Sequence, residues 1–335
     1  MCSSDLGLSV LIVWFASRDI DMGTLQVGDM IAFITYSMLI VMSFMMLTMM
    51  ILFLPRAGIA AERIDSVINA EISIKDSDSL SNDKLKNIKG SITFESVHFQ
   101  YPGAIREVLE DISFTAEAGK ITAIIGSTGC GKSTLLNLIL RFYDVTSGKI
   151  YIDGIDIRDI KLHKLHDSIG YIPQKGMLFS GTVESNLKFG GNNISDEDMI
   201  KAAEIAQASD FITEKPDAYK SSISQGGSNV SGGQRQRLAI ARALAKKPKI
   251  LLFDDSFSAL DFKTDAALRC AISKNTDNST IIIVAQRVNT IMNADRIIVL
   301  EKGRIAGIGT HKQLMKSCPE YMEIAESQLA QQSSE

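Results

Sequence analysis

Residues 121–125 form a largely apolar run, and the nine that follow are Gly126, Ser127, Thr128, Gly129, Cys130, Gly131, Lys132, Ser133 and Thr134. A short apolar run bounded by glycine reads as a buried strand. The glycines let the backbone curl so that successive N–H groups point inward at a phosphate chain. In this GxxxxGK[ST] pattern Lys132 reaches the β- and γ-phosphates and Ser133 ligates Mg²⁺, while the helix opening at Ser133 turns its positive dipole end toward the anion. A plain glycine-rich turn is the bland alternative. It does not require a strand before the pattern and a helix after it.

At 335 residues the chain has room for about two domains, and its formal charge of −4 lacks the basic face that a nucleic-acid partner needs. The four cysteines, Cys2, Cys130, Cys270 and Cys318, show neither metal-ligand spacing nor a disulfide framework, which fits a reducing compartment for most of the chain. Apolar residues concentrate at the N-terminus, so the sequence divides into a membrane part and a soluble part.

Residues 30–54 carry no charge. As a helix they would extend ~37 Å, enough to cross a hydrocarbon core of about 30 Å with some tilt. The shorter apolar piece 6–16 reads as the tail of another membrane helix. Arg56 and Arg63 follow the long span, and Asp19, Asp21 and Asp29 precede it. The positive-inside rule therefore places the Arg56 end in the cytoplasm. Seven methionines from Met30 to Met50 offer either an adaptable surface for varied apolar molecules or ordinary helix-packing side chains. Residues 1–6 have no basic stretch, and no signal-peptide cleavage site follows. The expectation is a chain truncated upstream, with residues 2–6 resembling read-through of a sequencing adapter.

Pro55 is expected to end the regularity of the span, and residues 56–70 continue as a cytoplasmic helical extension with Ile59, Ile64, Val67 and Ile68 on its apolar positions. Residues 1–70 thus form the membrane part, and 71–90, polar from Ser77 to Lys89, a linker. An ATP-binding domain is expected over 91–325, with a polar tail at 326–335. Ile92, Phe94 and Val97 begin a strand that ends in a turn at Tyr101-Pro102. Tyr101 either stacks on a flat base or packs in the turn.

Further along, Gln174 follows a short strand, and Ser231, Gly232, Gly233 and Gln234 open a helix with an apolar face of Leu238, Ile240, Ala241 and Leu244. Free N–H groups there make either a second anion site or a simple cap. The buried strand 250–253 ends in Asp254-Asp255, where carboxylates at a parallel strand's carboxyl end face a nucleotide crevice, so Asp254 would hold Mg²⁺ through water. The turn Ser258-Ala259-Leu260-Asp261 follows, and the strand 281–284 ends at Ala285-Gln286-Arg287. The sequon at Asn278 would meet no glycosylation machinery in a cytoplasmic domain.

The order of cradle, Gln174, SGGQ, Asp254, SALD and Gln286 resembles the ATPase domain of ABC transporters over about residues 90–320. The fold implied is an α/β P-loop NTPase, with a mixed sheet and a helical signature subdomain, preceded by α-helical transmembrane segments. Gly28-Asp29-Met30-Ile31-Ala32-Phe33 and Ala61-Glu62-Arg63-Ile64 resemble the last membrane helix of an exporter half-transporter. The resemblance implies that two cassettes pair head to tail, each ATP lying between one cradle and the partner's SGGQ. Tyr101 would then stack on adenine, and residues 126–134 would bind the phosphates. Ser133, Gln174 and Asp254 would serve Mg²⁺ and its waters, Ser231 to Gln234 would grip the partner's γ-phosphate, and Asp261 would align the two sites. Lys132, Gln174, Asp255 and Gln286 are the catalytic candidates.

Two positions depart from the family pattern. Active cassettes carry glutamate as general base where this chain has Asp255. A base must approach its water to about 2.6–3.2 Å, and losing a methylene withdraws the carboxylate beyond that window. The family's switch histidine is Gln286 here, which donates a hydrogen bond but cannot become cationic. Gln225 also stands where many exporters have glutamate, at a position linked to the membrane domains. SGGQ and SALD are intact. The combination resembles one subunit of a heterodimeric multidrug exporter with a degenerate ATP site. It implies a second half-transporter as partner, homodimer being the alternative, a multi-pass cell-membrane location with the ATPase domain cytoplasmic, and export of an amphipathic drug- or lipid-like molecule. The rivals are a soluble ABC ATPase and a nucleotide-binding regulatory subunit. For Cys130, at a helix N-terminus beside Lys132, the expectation is a lowered thiol pKa and raised reactivity, or else a small residue filling the loop.

Overall fold

The computed structural model describes residues 2–76, 88–191, 193–276 and 279–332. Most of the expected linker (77–87), the Asn278 sequon position and the last three residues of the expected tail lie outside them. The chain splits into two compact units, Met1–Ile72 and Ser73–Glu335.

The first unit is a pair of helices, Cys2–Asp21 and Val27–Ile68. The second contains Pro55 and continues through it for 42 residues in all, about 63 Å at 1.5 Å per residue. The helix thus runs on past Pro55 through the expected extension as far as Ile68. Among the described residues this is the one helix long and apolar enough to cross a membrane. Its hydroxyls bond back to carbonyls a turn earlier, Thr35 to Ile31 at 2.8 Å and Ser43 to Leu39 at 2.8 Å, which satisfies them without water. The first helix is longer than the apolar 6–16 piece, because helical backbone extends into polar flanks at both ends.

The second unit is built on strands β1 (Ile92–Phe99), β2 (Leu109–Ala116), β3 (Ile121–Gly126), β4 (Ser147–Ile152), β5 (Ile155–Asp156), β6 (Ile169–Ile172), β7 (Gly181–Thr182), β8 (Ser222–Ile223), β9 (Ile250–Asp254), β10 (Thr280–Val284), β11 (Arg296–Glu301) and β12 (Arg304–Gly309). Six of them form a mixed sheet in the order β12-β11-β3-β10-β9-β6, parallel except for the β11–β12 edge. A smaller antiparallel sheet, β2-β1-β4-β5, packs beside it.

Side-chain alternation divides the core. On β3, β9 and β10, Ile125, Phe253 and Ile283 point into a cluster shared with the helices Asp196–Ile205 and Gly232–Ala245. Ile124, Leu252 and Ile282 point into the opposite cluster, with Leu135 and Leu136 of the helix Lys132–Ile139 and with Phe94 and Phe114 of the small sheet. Phe94 and Phe114 are cross-strand partners stacked with centroids 4.6 Å apart. Burial on both faces explains why β9 is apolar from Ile250 until Asp254 and β10 from Ile281 to Val284.

The helices Val183–Lys188, Asp196–Ile205 and Gly232–Ala245 form a helical layer tied by Arg242, which donates to the Asn186 carbonyl at 2.9 Å and the Met177 carbonyl at 2.9 Å. At the C-terminal end, residues 326–332 of the expected polar tail belong to the helix Pro319–Gln332.

Candidate nucleotide-binding site

Strands β3, β9 and β10 run parallel in a register that pairs Val284 with both Ile124 and Asp254, so their carboxyl ends lie at one edge. Ligands in open α/β sheets bind outside that edge. After β3 the chain turns through Gly129 at φ 83° and Gly131 at φ 103° into the helix Lys132–Ile139. A Cβ at Gly126 would lie 2.0 Å from the Leu300 carbonyl oxygen, so only glycine permits that approach of β3 to β11. The Lys132 ammonium is buried and donates to the Gly126 carbonyl at 2.8 Å and the Ser127 carbonyl at 2.7 Å. The cation is thus held inside the curl of the loop.

Across the edge, Ser133 Oγ donates to Asp254 Oδ1 at 2.8 Å, and Gln174 Nε2 donates to Asp255 Oδ2 at 3.2 Å. Burial pushes both aspartate carboxyls above the ordinary carboxylate range. For Asp254 the bonds from Ser133 and Tyr171 oppose that shift. For Asp255 the Gln174 amide and the Gln286 backbone N–H oppose it, and the Asp254 charge adds to it. The sequence reading overlooked Tyr171, at the end of β6, whose hydroxyl lies 3.5 Å from Asp254 Oδ2. Burial and the Asp254 charge push its phenol up to about 12, so it remains a neutral donor. Its place three residues before Gln174, on a strand adjoining β9, was the available signal.

These groups surround one cavity of about 400 Å³, lined by Tyr101, Thr128, Gly129, Gly131, Lys132, Ser133 and Thr134 on one side and Gln174, Asp254, Asp255 and Gln286 on the other. Val108 and Val284 add an apolar wall that the sequence reading also overlooked. Tyr101 lines the mouth, with its hydroxyl 3.1 Å from Thr134 Oγ1 and its ring edge-on to Phe99 and Tyr143. It is therefore both a packed turn aromatic and a wall of the cavity.

The donor set fits Mg²⁺ with a nucleotide. A hydroxyl and a carboxylate, already paired across the loop, are hard oxygen ligands for an ion that takes few protein ligands and completes its shell with phosphates and water. No cluster of three or more His, Cys, Asp or Glu suited to a metal occurs among the described residues.

Residues 231–234 and Asp261 stand apart from the cavity, and within the cradle Gly126, Ser127 and Cys130 do not line it. Ser231 caps the helix Gly232–Ala245, its Oγ accepting from the Gln234 N–H at 3.2 Å while Gln234 Oε1 accepts from the Ser231 N–H at 3.1 Å. Nothing lies within 4 Å of the space a Cβ would take at Gly232, so this helix start is open. Asp261 caps the helix Phe262–Asn275 through the Thr264 N–H at 2.9 Å. Neither 231–234 nor Asp261 lines the cavity. Cys130 departs from the reactive-thiol reading but not from the loop-filling one. Its side chain is buried beneath the loop near Gly126, and burial pushes the thiol up, outweighing Lys132 with Nζ 3.7 Å away.

Residues 109–258 match the family model described as ABC transporter. This is an ABC transporter ATPase domain. The chain is 45% identical over 325 residues, 96% of its length, to an uncharacterized ABC transporter ATP-binding protein of Mycobacterium tuberculosis, of which it covers 55%. It is 41% identical over 274 residues, 82% of its length, to the ATP-dependent lipid A-core flippase of Methylobacillus flagellatus, covering 46% of that protein. Among solved structures, a bacterial Atm1-family ABC exporter with ATP bound matches with a TM-score of 0.75 and 34% identity, over 98% of this chain and 57% of the other. The chain spans about half the length of the curated relatives it matches.

Proposed function

We propose that this chain is the ATP-binding subunit of a membrane-embedded ABC exporter, and that its own ATP site turns over slowly while its SGGQ segment completes a faster site on a second, different half-transporter. The observation that carries the reading is the pairing of Gln174 with Asp255 beside Gln286. The carboxylate where active cassettes place glutamate is one methylene shorter and tied back by an amide, and the neighbouring side chain cannot carry positive charge.

Lys132 and the backbone N–H groups of the cradle would hold the β- and γ-phosphates, Ser133 and Asp254 would hold Mg²⁺, and Tyr101 would meet the base. Bound Mg²⁺ supplies charge neutralisation between the phosphates. Asp255 and Gln174 would orient the attacking water, and Gln286 would donate toward the γ-phosphate without the electrostatic gain of a cation. Losing such a donor typically costs on the order of 10²- to 10³-fold in rate. The open helix start at Ser231 and the capping carboxylate of Asp261 are the surfaces a partner's ATP site would meet.

The helix Val27–Ile68 would belong to the transmembrane domain, with the ATPase domain on the cytoplasmic side. Similarity to a lipid flippase and to an exporter supports an amphipathic, lipid- or drug-like cargo. The test is ATP turnover by the full chain in lipid, alone and with a half-transporter carrying glutamate and histidine at the two positions. Slow turnover alone and restored turnover in the pair are expected. Rapid hydrolysis by the isolated chain, abolished by Asp255→Asn, would overturn the reading.

A further inference from the structure

The side-chain amide of Gln328, on the helix Pro319–Gln332, bonds to the backbone on both sides of Arg287. Its Oε1 accepts from the Val288 N–H at 2.8 Å, and its Nε2 donates to the Gln286 carbonyl at 2.6 Å. Val288 opens the short helix Val288–Ile291, whose cap residue Arg287 makes no side-chain capping bond, so Gln328 supplies a missing acceptor from 40 residues away. The helix bearing Gln328 is anchored elsewhere. Tyr321 and Ala325 are buried in the main core, and Tyr321 also pairs with His311 at 2.8 Å. Docking of that helix therefore does not depend on the amide.

What the amide does reach is the segment beside the nucleotide cavity. Gln286 lines that cavity beside Asp255, and its backbone N–H counters the rise that burial gives the Asp255 carboxyl pKa. Asp255 in turn accepts from Gln174, and the Asp255 N–H donates to the Val284 carbonyl at 2.9 Å. Hydrogen bonds therefore tie Gln328 to the Gln286 carbonyl, and tie Asp255 to Gln174 and to the carbonyl of Val284, two residues before Gln286.

We propose that Gln328 is a positioning residue for the ATP site, clamping the Gln286 backbone so that residues 286 and 255 hold their places against the nucleotide. The proposal rests on the nucleotide-site reading above. It makes the C-terminal helix a part through which movement outside the site changes the site, since shifting that helix releases the clamp.

The test compares the full chain in lipid with Gln328→Met, which keeps length but makes neither bond, and Gln328→Glu, which keeps the acceptor and loses the donor. Hydrogen exchange over residues 285–289 and 255–258 is measured together with kcat, KM and ATP affinity. For Gln328→Met, exchange at Val288 should rise roughly tenfold, the scale of one lost hydrogen bond. Its kcat should fall at least about threefold, as for an interaction felt in the transition state, with KM and ATP affinity within about twofold. Gln328→Glu should keep Val288 protected while kcat stays low, because only the Gln286 contact is lost. Unchanged exchange, unchanged kcat despite faster exchange, or a uniform rise in exchange across the domain would each overturn the proposal. Failure of the slow-site reading shows separately, as rapid turnover by the unmodified chain. If that chain failed to bind ATP, exchange at 255–258 would still read the clamp.

Discussion

Gln174 Nε2 lies 3.2 Å from Asp255 Oδ2, and Asp255 itself sits at φ 47°, in the left-handed region. The backbone there aims a short carboxylate at the cavity and the amide restrains it. Lengthening the side chain extends its reach without altering the strand register behind it. Asp255→Glu combined with Gln286→His should therefore raise ATP turnover by the isolated chain at least about tenfold, a fraction of the 10²- to 10³-fold scale of such donors. Steady-state phosphate release checks this, and no gain in the double variant would remove the chemical basis of the slow-site reading.

Burial raises the Asp255 carboxyl pKa in the folded protein, so the native state holds that proton more tightly than the unfolded chain does. The stability this contributes is complete below the unfolded pKa and is lost as pH rises through the folded one. At pH 7 the buried charge is therefore a cost. Asp255→Asn removes it, and asparagine tolerates the left-handed backbone. Tm should rise at pH 7, and the gain should fade as pH drops through the carboxylate range. Thermal unfolding at pH 7 and pH 4 measures both, and an equal shift at the two would contradict the assignment.

Gly126 approaches the Leu300 carbonyl so closely that a methyl group would sit 2.0 Å from it, with Cys130 Sγ at 2.9 Å. The nearest obstacle is the backbone of a central strand. Gly126→Ala should thus cost stability near or above the upper end of the roughly 1–3 kcal/mol typical of overpacking. Denaturant unfolding of the second unit's signal gives the value. A cost under about 0.5 kcal/mol, within the range of inconsequential surface changes, would mean that β3 and β11 separate easily.

The cradle, β9 and β10 were legible because their local patterns agree with their surroundings: apolar runs buried on both faces, followed at one edge by glycine after β3, aspartate at the end of β9 and Ala285-Gln286 after β10. The helical extension past Pro55 was legible in the spacing of Ile59, Ile64, Val67 and Ile68, and the helix runs through the proline for 42 residues in all. Tyr171 left only its place three residues before Gln174, and Gln328 no motif at all. Their roles come from tertiary placement, one beside β9 and the other across from Val288, which spacing along the chain does not encode. The helix start at Ser231 was legible as a cap and an anion site alike, and a single chain presents only the capping half of that choice.

Cys130 shows where a sequence rule gives way to packing. A helix N-terminus and a neighbouring lysine both favour a thiolate, and either alone lowers a thiol pKa when the sulfur faces water. Here the sulfur is turned beneath the loop, and desolvation of the charged form outweighs the Lys132 ammonium. Cys270, on the exposed side of the helix Phe262–Asn275, has the access that Cys130 lacks. Iodoacetamide at pH 8 should therefore label Cys270 first and Cys130 at least about tenfold more slowly, since both the thiolate fraction and the approach are reduced. Denaturant should bring the two rates together. Peptide mass spectrometry over a time course separates them, and Cys130 labelling as fast as Cys270 in the native chain would place the sulfur on the solvent side of the cradle.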